Sequence, residues 1–408
     1  MDINAYASIL CFALGIAFLI RKRKVVIVGC GLAGLSAAIQ SANDGKDVVI
    51  LDACDTPGGN SMKASTGISA AVDDNDVLVF ENDIIRSGRG LCSTKLVRKL
   101  AMDSIPALSW LKENGVNVGE CILTGGHSVP RTRVITGAEI MKKLMDIAEK
   151  HDNIDIRTNI RVTRLVMSDG ACKGVYYEDG ANAVNGKIVA DSVILTTGGY
   201  AANSRVMERY GLPTTNGPLT RGDGINISAA IGAEIIHTSQ IQVHPTGFID
   251  PAFPDSDVKI LAPEKLRSVG GILLDSTENR FVDELDTRDV ITENILALVD
   301  KTAYLVLDEA AAKRFGKNFG YYMSKGLFKE RFIDGQVSYV ATVTPVIHYT
   351  MGGVRTDEMS RVIDVHGNPV PGLYAAGELI GGIHGKNRLC GTSLLDCIVF
   401  GRTAGTNS

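Results

Sequence analysis

The stretch KVVIVGCGLAGLSAAIQSANDGKDVVILD, residues 24–52, decides the fold. An apolar run passes into Gly29-x-Gly31-x-x-Gly34, an alanine-rich helical segment follows, and a second apolar run ends on Asp52. Strand, glycine turn, helix and strand in that order make the βαβ unit of a dinucleotide-binding α/β domain. Its glycines allow the tight turn, the close approach of a pyrophosphate and close helix–strand packing, and the helix N-terminus faces the phosphates. Asp52 stands where an acidic side chain accepts from ribose hydroxyls. A lone glycine signature is weak evidence, but the flanking strand, helix, second strand and acid make this one specific. The stretch leaves FAD and NAD equally open.

The remainder of the chain is consistent with a large enzyme. Its 408 residues suffice for two domains, and 42 basic against 46 acidic residues leave no footprint for nucleic acid. Apolar content of 45% with 44 glycines fits an α/β fold with close backbone approaches to a ligand. The eight cysteines are scattered without a C-x-x-C pair, so they read as reduced apolar residues. No metal-ligand spacing and no Ser-His-Asp pattern is apparent. Residues 1–24 stand apart: AYASILCFALGIAFLI (5–20) runs directly into a basic cluster, RKRK. The run is short for a span, which takes about 20 residues, and lacks a small-residue cleavage site. It reads as a signal-anchor that holds the chain on the endoplasmic reticulum or another endomembrane, with mitochondrion or cytoplasm as alternatives.

Further on, ENRFVDELDTRDV (278–290) sets Arg288 among Asp283, Glu284, Asp286 and Asp289. Alone, this reads as a solvated helix start, since acidic residues favour a first helical turn. Other motifs change that reading. TPGGNSMKASTGISAA (56–71) lets a backbone of small residues lie against a flat ring, and it resembles the second FAD contact of the fumarate reductase/succinate dehydrogenase flavoproteins. Further pieces match that family in order: TTGGY (196–200), TRGDGINISAAIGA (220–233), QVHPTGF (242–248), LAPEKLRSVGGILL (261–274), RFVDELDTRDV (280–290), TPVIHYTMGG (344–353), LYAAGE (373–378) and HGKNRLCGTSLLD (384–396). The resemblance extends from Val25 nearly to the C-terminus and is closest to the soluble, single-subunit fumarate reductases of eukaryotes.

The resemblance implies a Rossmann-like FAD-binding domain, discontinuous over 25–237 and 345–408, with an inserted α+β capping domain at 238–344. It implies that FAD rests on Gly29, Gly31, Ala33, Gly34, Asp52, Gly59, Asn60, Ser61, Ser65, Thr66, Gly67, Val162, Asp223, Tyr349, Glu378, Ser393 and Leu394. A helix over 392–404 should point its N-terminus at the flavin and favour the anionic reduced form. For the reaction, fumarate to succinate with hydride from the flavin N5, the family pattern places one carboxylate on His348 and Arg388 and the other on His244. Gly391 lies beside them. Arg288 falls on the catalytic acid, and Glu264 and Arg267 fall on the relay that returns its proton from solvent. An arginine normally stays charged, so it can donate only if such a relay recharges it.

Four departures stand out. Asn60 replaces the histidine that attaches FAD covalently in the succinate dehydrogenase type, so FAD should be non-covalent. Pro263 replaces a substrate-binding threonine, and Cys390 a glycine near Arg388. Between 321–330 and 337–348 the family carries some tens of residues more, so the cap reads as shortened. In GGHSVPRTR, Arg131 and Arg133 resemble a loop near the substrate, although a surface role fits equally. The sequon at Asn226 reads as part of the helix after Gly224, not as a glycan site. Alternative readings are an L-aspartate oxidase, a ketosteroid dehydrogenase, or a flavin binder that the short cap leaves inactive. Steroid chemistry sits poorly with the His348/Arg388 pair. No haem, flavodoxin-like or iron–sulfur pattern appears, so electrons come from an external donor, for which free reduced flavin is suited.

Overall fold

A computed structural model describes residues 22–333 and 335–408. The opening stretch forms the predicted unit: strand Lys24–Val28, helix Leu32–Asn43 and strand Asp47–Leu51. These strands lie in a six-stranded sheet ordered 361–363, 369–375, 192–195, 24–28, 47–51, 154–157. All its pairings are parallel except that between Arg361–Ile363 and Pro369–Ala375. Val25, Val26 and Ile27 are fully buried, as expected for a strand covered on both faces. The turn requires its first glycine. Gly29 has φ +106°, and a Cβ there would lie 2.4 Å from the Thr196 carbonyl oxygen.

A second sheet, wholly antiparallel, orders strands Ile241–Phe248, Gln336–Thr350, Ala303–Asp308 and Ile272–Leu274, with Lys329–Ile333 also on Gln336–Thr350. It packs with helices Arg288–Leu296 and Glu309–Phe315 around its own core, including Phe248, Leu266, Leu305 and Val343. The first core holds residues from Val25 to Ala233 and from Val354 to Ala404. The 15-residue strand Gln336–Thr350 begins beside the second core and ends with His348, Tyr349 and Thr350 at the first. Ile333 pairs directly with Gln336, so the strands Lys329–Ile333 and Gln336–Thr350 adjoin where the cap was expected to be shortened.

Among the described residues no helix is long and apolar enough to cross a membrane. The anticipated anchor at 5–20 lies outside the described residues. The final helix covers Thr392–Asn407, three residues longer than the sequence indicated.

Candidate active site

The first sheet's carboxyl edge assembles the expected cofactor residues. The Asp52 carboxylate accepts from the amides of Cys30 (2.6 Å) and Cys54 (2.8 Å), which fixes it beside the glycine turn with lone pairs to spare. Ser61 Oγ accepts from the Leu32 amide at 3.1 Å, so the 59–63 turn lies over the helix N-terminus. Gly31 opens that helix without a side-chain cap, and a Cβ there would meet nothing nearer than 3.4 Å. Ala33 and Gly34 are buried in its first turn. Asn60 turns away: its amide donates to Asn216 (2.6 Å) and Thr220 (2.9 Å) and accepts from Gly217. Ser65 Oγ and Thr197 Oγ1 are buried with no partner, while Thr66 and Gly67 lead into the strand Gly67–Ser69.

Val162 is buried in its strand, and Asp223, next to it in space, pairs with Arg161 at 3.1 Å. Glu378 accepts from the Thr350 amide and hydroxyl, both 3.0 Å. Burial pushes its carboxyl up to about 7. Helix Thr392–Asn407 starts at Gly391, also without a side-chain cap, and places Ser393 and Leu394 in its first turn. Open glycine turns, two helix N-termini begun by glycine and unsatisfied hydroxyls are a donor set that suits a pyrophosphate and a flavin ring. The residues present therefore fit FAD.

The reacting residues converge where the two sheets meet. Arg288, only 6% exposed, donates from Nε to Glu264 (2.9 Å) and from Nη1 to Gln242 (2.8 Å). Glu264 also accepts from the Gly125 amide at 2.8 Å and lies 3.8 Å from Arg267 Nη2. Burial opposes the Glu264 charge, yet Arg288 and Arg267 prevail and hold the carboxyl below its usual range. Burial likewise opposes the Arg288 charge; Glu264 and then the Cys390 thiol outweigh it, so its affinity for the proton is raised.

His244 and His348 stand with ring centroids 5.2 Å apart. Burial, followed by Arg288, keeps both imidazoles well below their ordinary range and therefore neutral. Arg388 lies over the Tyr349 ring, 4.4 Å from its centroid, and the Tyr349 hydroxyl is bound to Asp396. Arg388 Nε and Arg267 Nε and Nη2 are buried without hydrogen-bond partners. Of the three buried guanidiniums, Arg288 and Arg267 share Glu264, and Arg388 has no carboxylate within ion-pair distance among the described residues. Such a site is built to take up negative charge.

Several expectations need correction. None of the four acidic neighbours of Arg288 in sequence hydrogen-bonds or ion-pairs with it. Asp289 pairs with Arg89, Glu284 with Arg280, and Asp283 and Asp286 are exposed and cap local amides. Asp283, Glu284 and Asp286 precede the helix that Arg288 opens, and the frame of Arg288 comes from Glu264 and Gln242. Arg131 is no surface residue: it is wholly buried, bound to Asp76 and Asp83. Arg267 does not reach solvent either, being 2% exposed. Gln242 was passed over, although it lies two residues before His244 on one face of a strand, where the period of two places both inward.

Comparison with known proteins accords with this geometry. Residues 24–394 match the family model described as FAD binding domain. The chain is 37% identical to "Fumarate reductase" of Schizosaccharomyces pombe, over 94% of this chain and 88% of that protein. It is also 37% identical to "Fumarate reductase 1" of Saccharomyces cerevisiae, over 93% and 97%. Those alignments run to 456 and 458 residues, longer than the 408 of this chain, so the relatives hold residues that it lacks. Among solved structures, the open conformation of a flavocytochrome c3 fumarate reductase superposes with TM-score 0.80 at 29% identity, over 97% of this chain and 80% of that one.

Proposed function

The chain belongs to the FAD binding domain family, and from that premise we propose how it reduces fumarate to succinate. Bound FAD supplies the hydride; the rest falls to side chains of this chain. The observation that carries the reading is the buried set of Arg267, Arg288 and Arg388, in which Glu264 meets Arg288 and Arg267 while Arg388 Nε has no hydrogen-bond partner. A dianion answers that surplus of charge.

Arg388 and His348 take one carboxylate, and His244 takes the other. Neutral imidazoles suit this task because each offers a hydrogen bond without adding a further charge to the arginines. Arg388 is stacked on Tyr349 and cannot swing freely, so the carboxylate meets a fixed fork. Arg288 is held by Glu264 and Gln242 with the rest of its guanidinium open to the substrate, and it gives the proton. Glu264 recharges it with a proton passed on from Arg267, 3.8 Å behind, which water in turn recharges. Asn60 has no imidazole to bond to flavin and its amide is already engaged, which supports non-covalent FAD. We read the residues missing relative to the yeast proteins as cap residues of the 238–344 segment, replaced here by the 329–350 hairpin. Residues 5–20 we read as a membrane anchor, tested by fractionation with and without residues 1–22.

The test is anaerobic stopped-flow with reduced protein. Mixing with fumarate should reoxidise the flavin, whereas steroid substrates should leave it reduced. Flavin that stays reduced with fumarate would overturn the reading.

A further inference from the structure

The loop 124–131, TGGHSVPR, belongs to neither the cofactor cradle nor the substrate clamps, yet it touches both halves of the site. At one end the Gly125 amide binds the Glu264 carboxylate. A Cβ on Gly125 would lie 2.6 Å from the Asp286 carbonyl oxygen, so the loop presses against the segment that leads into Arg288. At the other end Arg131, with no exposed surface, donates from Nε and Nη2 to Asp76 (3.1 and 2.6 Å) and from Nη1 to Asp83 (2.5 Å). Ser128 binds Asp83 through its amide and hydroxyl.

Between these ends His127 Nδ1 lies 3.1 Å from Arg131 Nη1, and Nε2 lies 3.1 Å from the carbonyl oxygen of Cys390. The partners fix its tautomer. A guanidinium only donates, so Nδ1 must carry the lone pair; a carbonyl only accepts, so Nε2 must carry the proton. Burial, with Arg131 adding to it, holds this imidazole down at about 4, so the tautomer persists at neutral pH. The Cys390 carbonyl accepts a second bond, from Ser69 Oγ at 2.8 Å. It stands between Arg388 and Gly391, which opens the final helix.

We propose that His127 is a positioning residue of the reduction, whose imidazole ties the Asp76–Arg131–Asp83 cluster to the loop that carries Arg388. Through the same loop the Gly125 amide holds Glu264, so one eight-residue segment sets both the carboxylate clamp and the proton relay. The kinetic part of this inference rests on the fumarate reductase reading; the structural part does not.

The experiment compares wild type, His127→Ala and His127→Gln, each loaded with FAD. Glutamine can donate to a carbonyl from its amide nitrogen and accept from Arg131 at its oxygen. Hydrogen exchange of the peptide spanning 386–394 should quicken tenfold or more in His127→Ala and stay near wild type in His127→Gln. Fumarate turnover should follow the same order, with KM raised and kcat lowered in the alanine variant and both recovered in the glutamine variant. If His127→Ala loses FAD, His127→Leu, which fills the volume without the bonds, takes its place and should behave as predicted for alanine. Unchanged exchange in 386–394 overturns the proposal, and so does faster exchange with unchanged kinetics or failure of glutamine to rescue. A wild type inactive on fumarate would sink the enzymatic reading, while the exchange data would still decide whether His127 pins the loop.

Discussion

An arginine that serves as an acid needs two things that a surface arginine lacks: a fixed direction and a neighbour that returns the proton. Arg288, the proposed acid, is held by Gln242 at 2.8 Å and by Glu264, the proposed proton source, at 2.9 Å. Gln242 also donates to Asn387 (3.0 Å) and to the Arg388 carbonyl (2.8 Å), so it locks the acid to the clamp loop. Gln242→Leu should keep FAD and lower kcat by about 10²-fold, the scale of an ångström-level misplacement of a reacting group. Steady-state kinetics with fumarate checks it, and a wild-type kcat would refute the locking role. This residue was legible in part: the motif QVHPTGF exposes the strand period, but nothing in it names Arg288 as the partner 46 positions away.

At the scale of elements, the opening βαβ unit could be read from sequence because its signals are local: apolar runs, a glycine turn and an acid at the second strand's end. The Asp76–Arg131–Asp83 cluster could not. Its partners lie 55 and 48 residues apart, and in sequence each looks like an ordinary surface charge. The acidic residues around Arg288 were uninformative for the converse reason: neighbours in sequence bind elsewhere in space, while Glu264 arrives from another element. Arg131 should also matter to stability. Arg131→Met leaves Asp76, 9% exposed, without its cation, and leaves Asp83, 2% exposed, with only the exposed Arg86 at 2.6 Å. A loss of about 3–5 kcal/mol is expected from breaking a buried pair in this way. Chemical denaturation of the FAD-loaded protein measures it; a loss below about 1 kcal/mol, the level of a surface pair, would contradict the burial argument.

For the whole molecule, the two cores meet at a site lined by buried imidazoles, and this governs behaviour in acid. Burial lowers His127, His244, His348 and His384 from the ordinary 6.5. As pH falls through about 6.5 the unfolded chain binds protons that the folded one resists, so stability drops by up to about 1.4 kcal/mol per pH unit for each group. The loss continues until the folded values are reached, about 4 for His127. Glu264, whose folded value is depressed, adds its own loss only below about 4.5. Glu378, raised to about 7, acts in the opposite sense and offsets one of the four histidines between pH 7 and about 4.5. Tm should still fall between pH 7 and pH 5, and a flat Tm over that range would contradict this. Acid precipitation should also release all the flavin, since Asn60 offers no site for a bond; colour retained in the pellet would refute non-covalent binding.

The central claim is that Arg288 delivers the proton, and the most direct measurement is kcat for fumarate in Arg288→Ala, with FAD content and flavin spectrum recorded on the same sample. The account predicts turnover lost with FAD and spectrum intact, and a small residual rate in Arg288→Lys, which keeps a donor but not the fork. A wild-type kcat with only KM raised would make Arg288 another clamp and place the proton donor elsewhere.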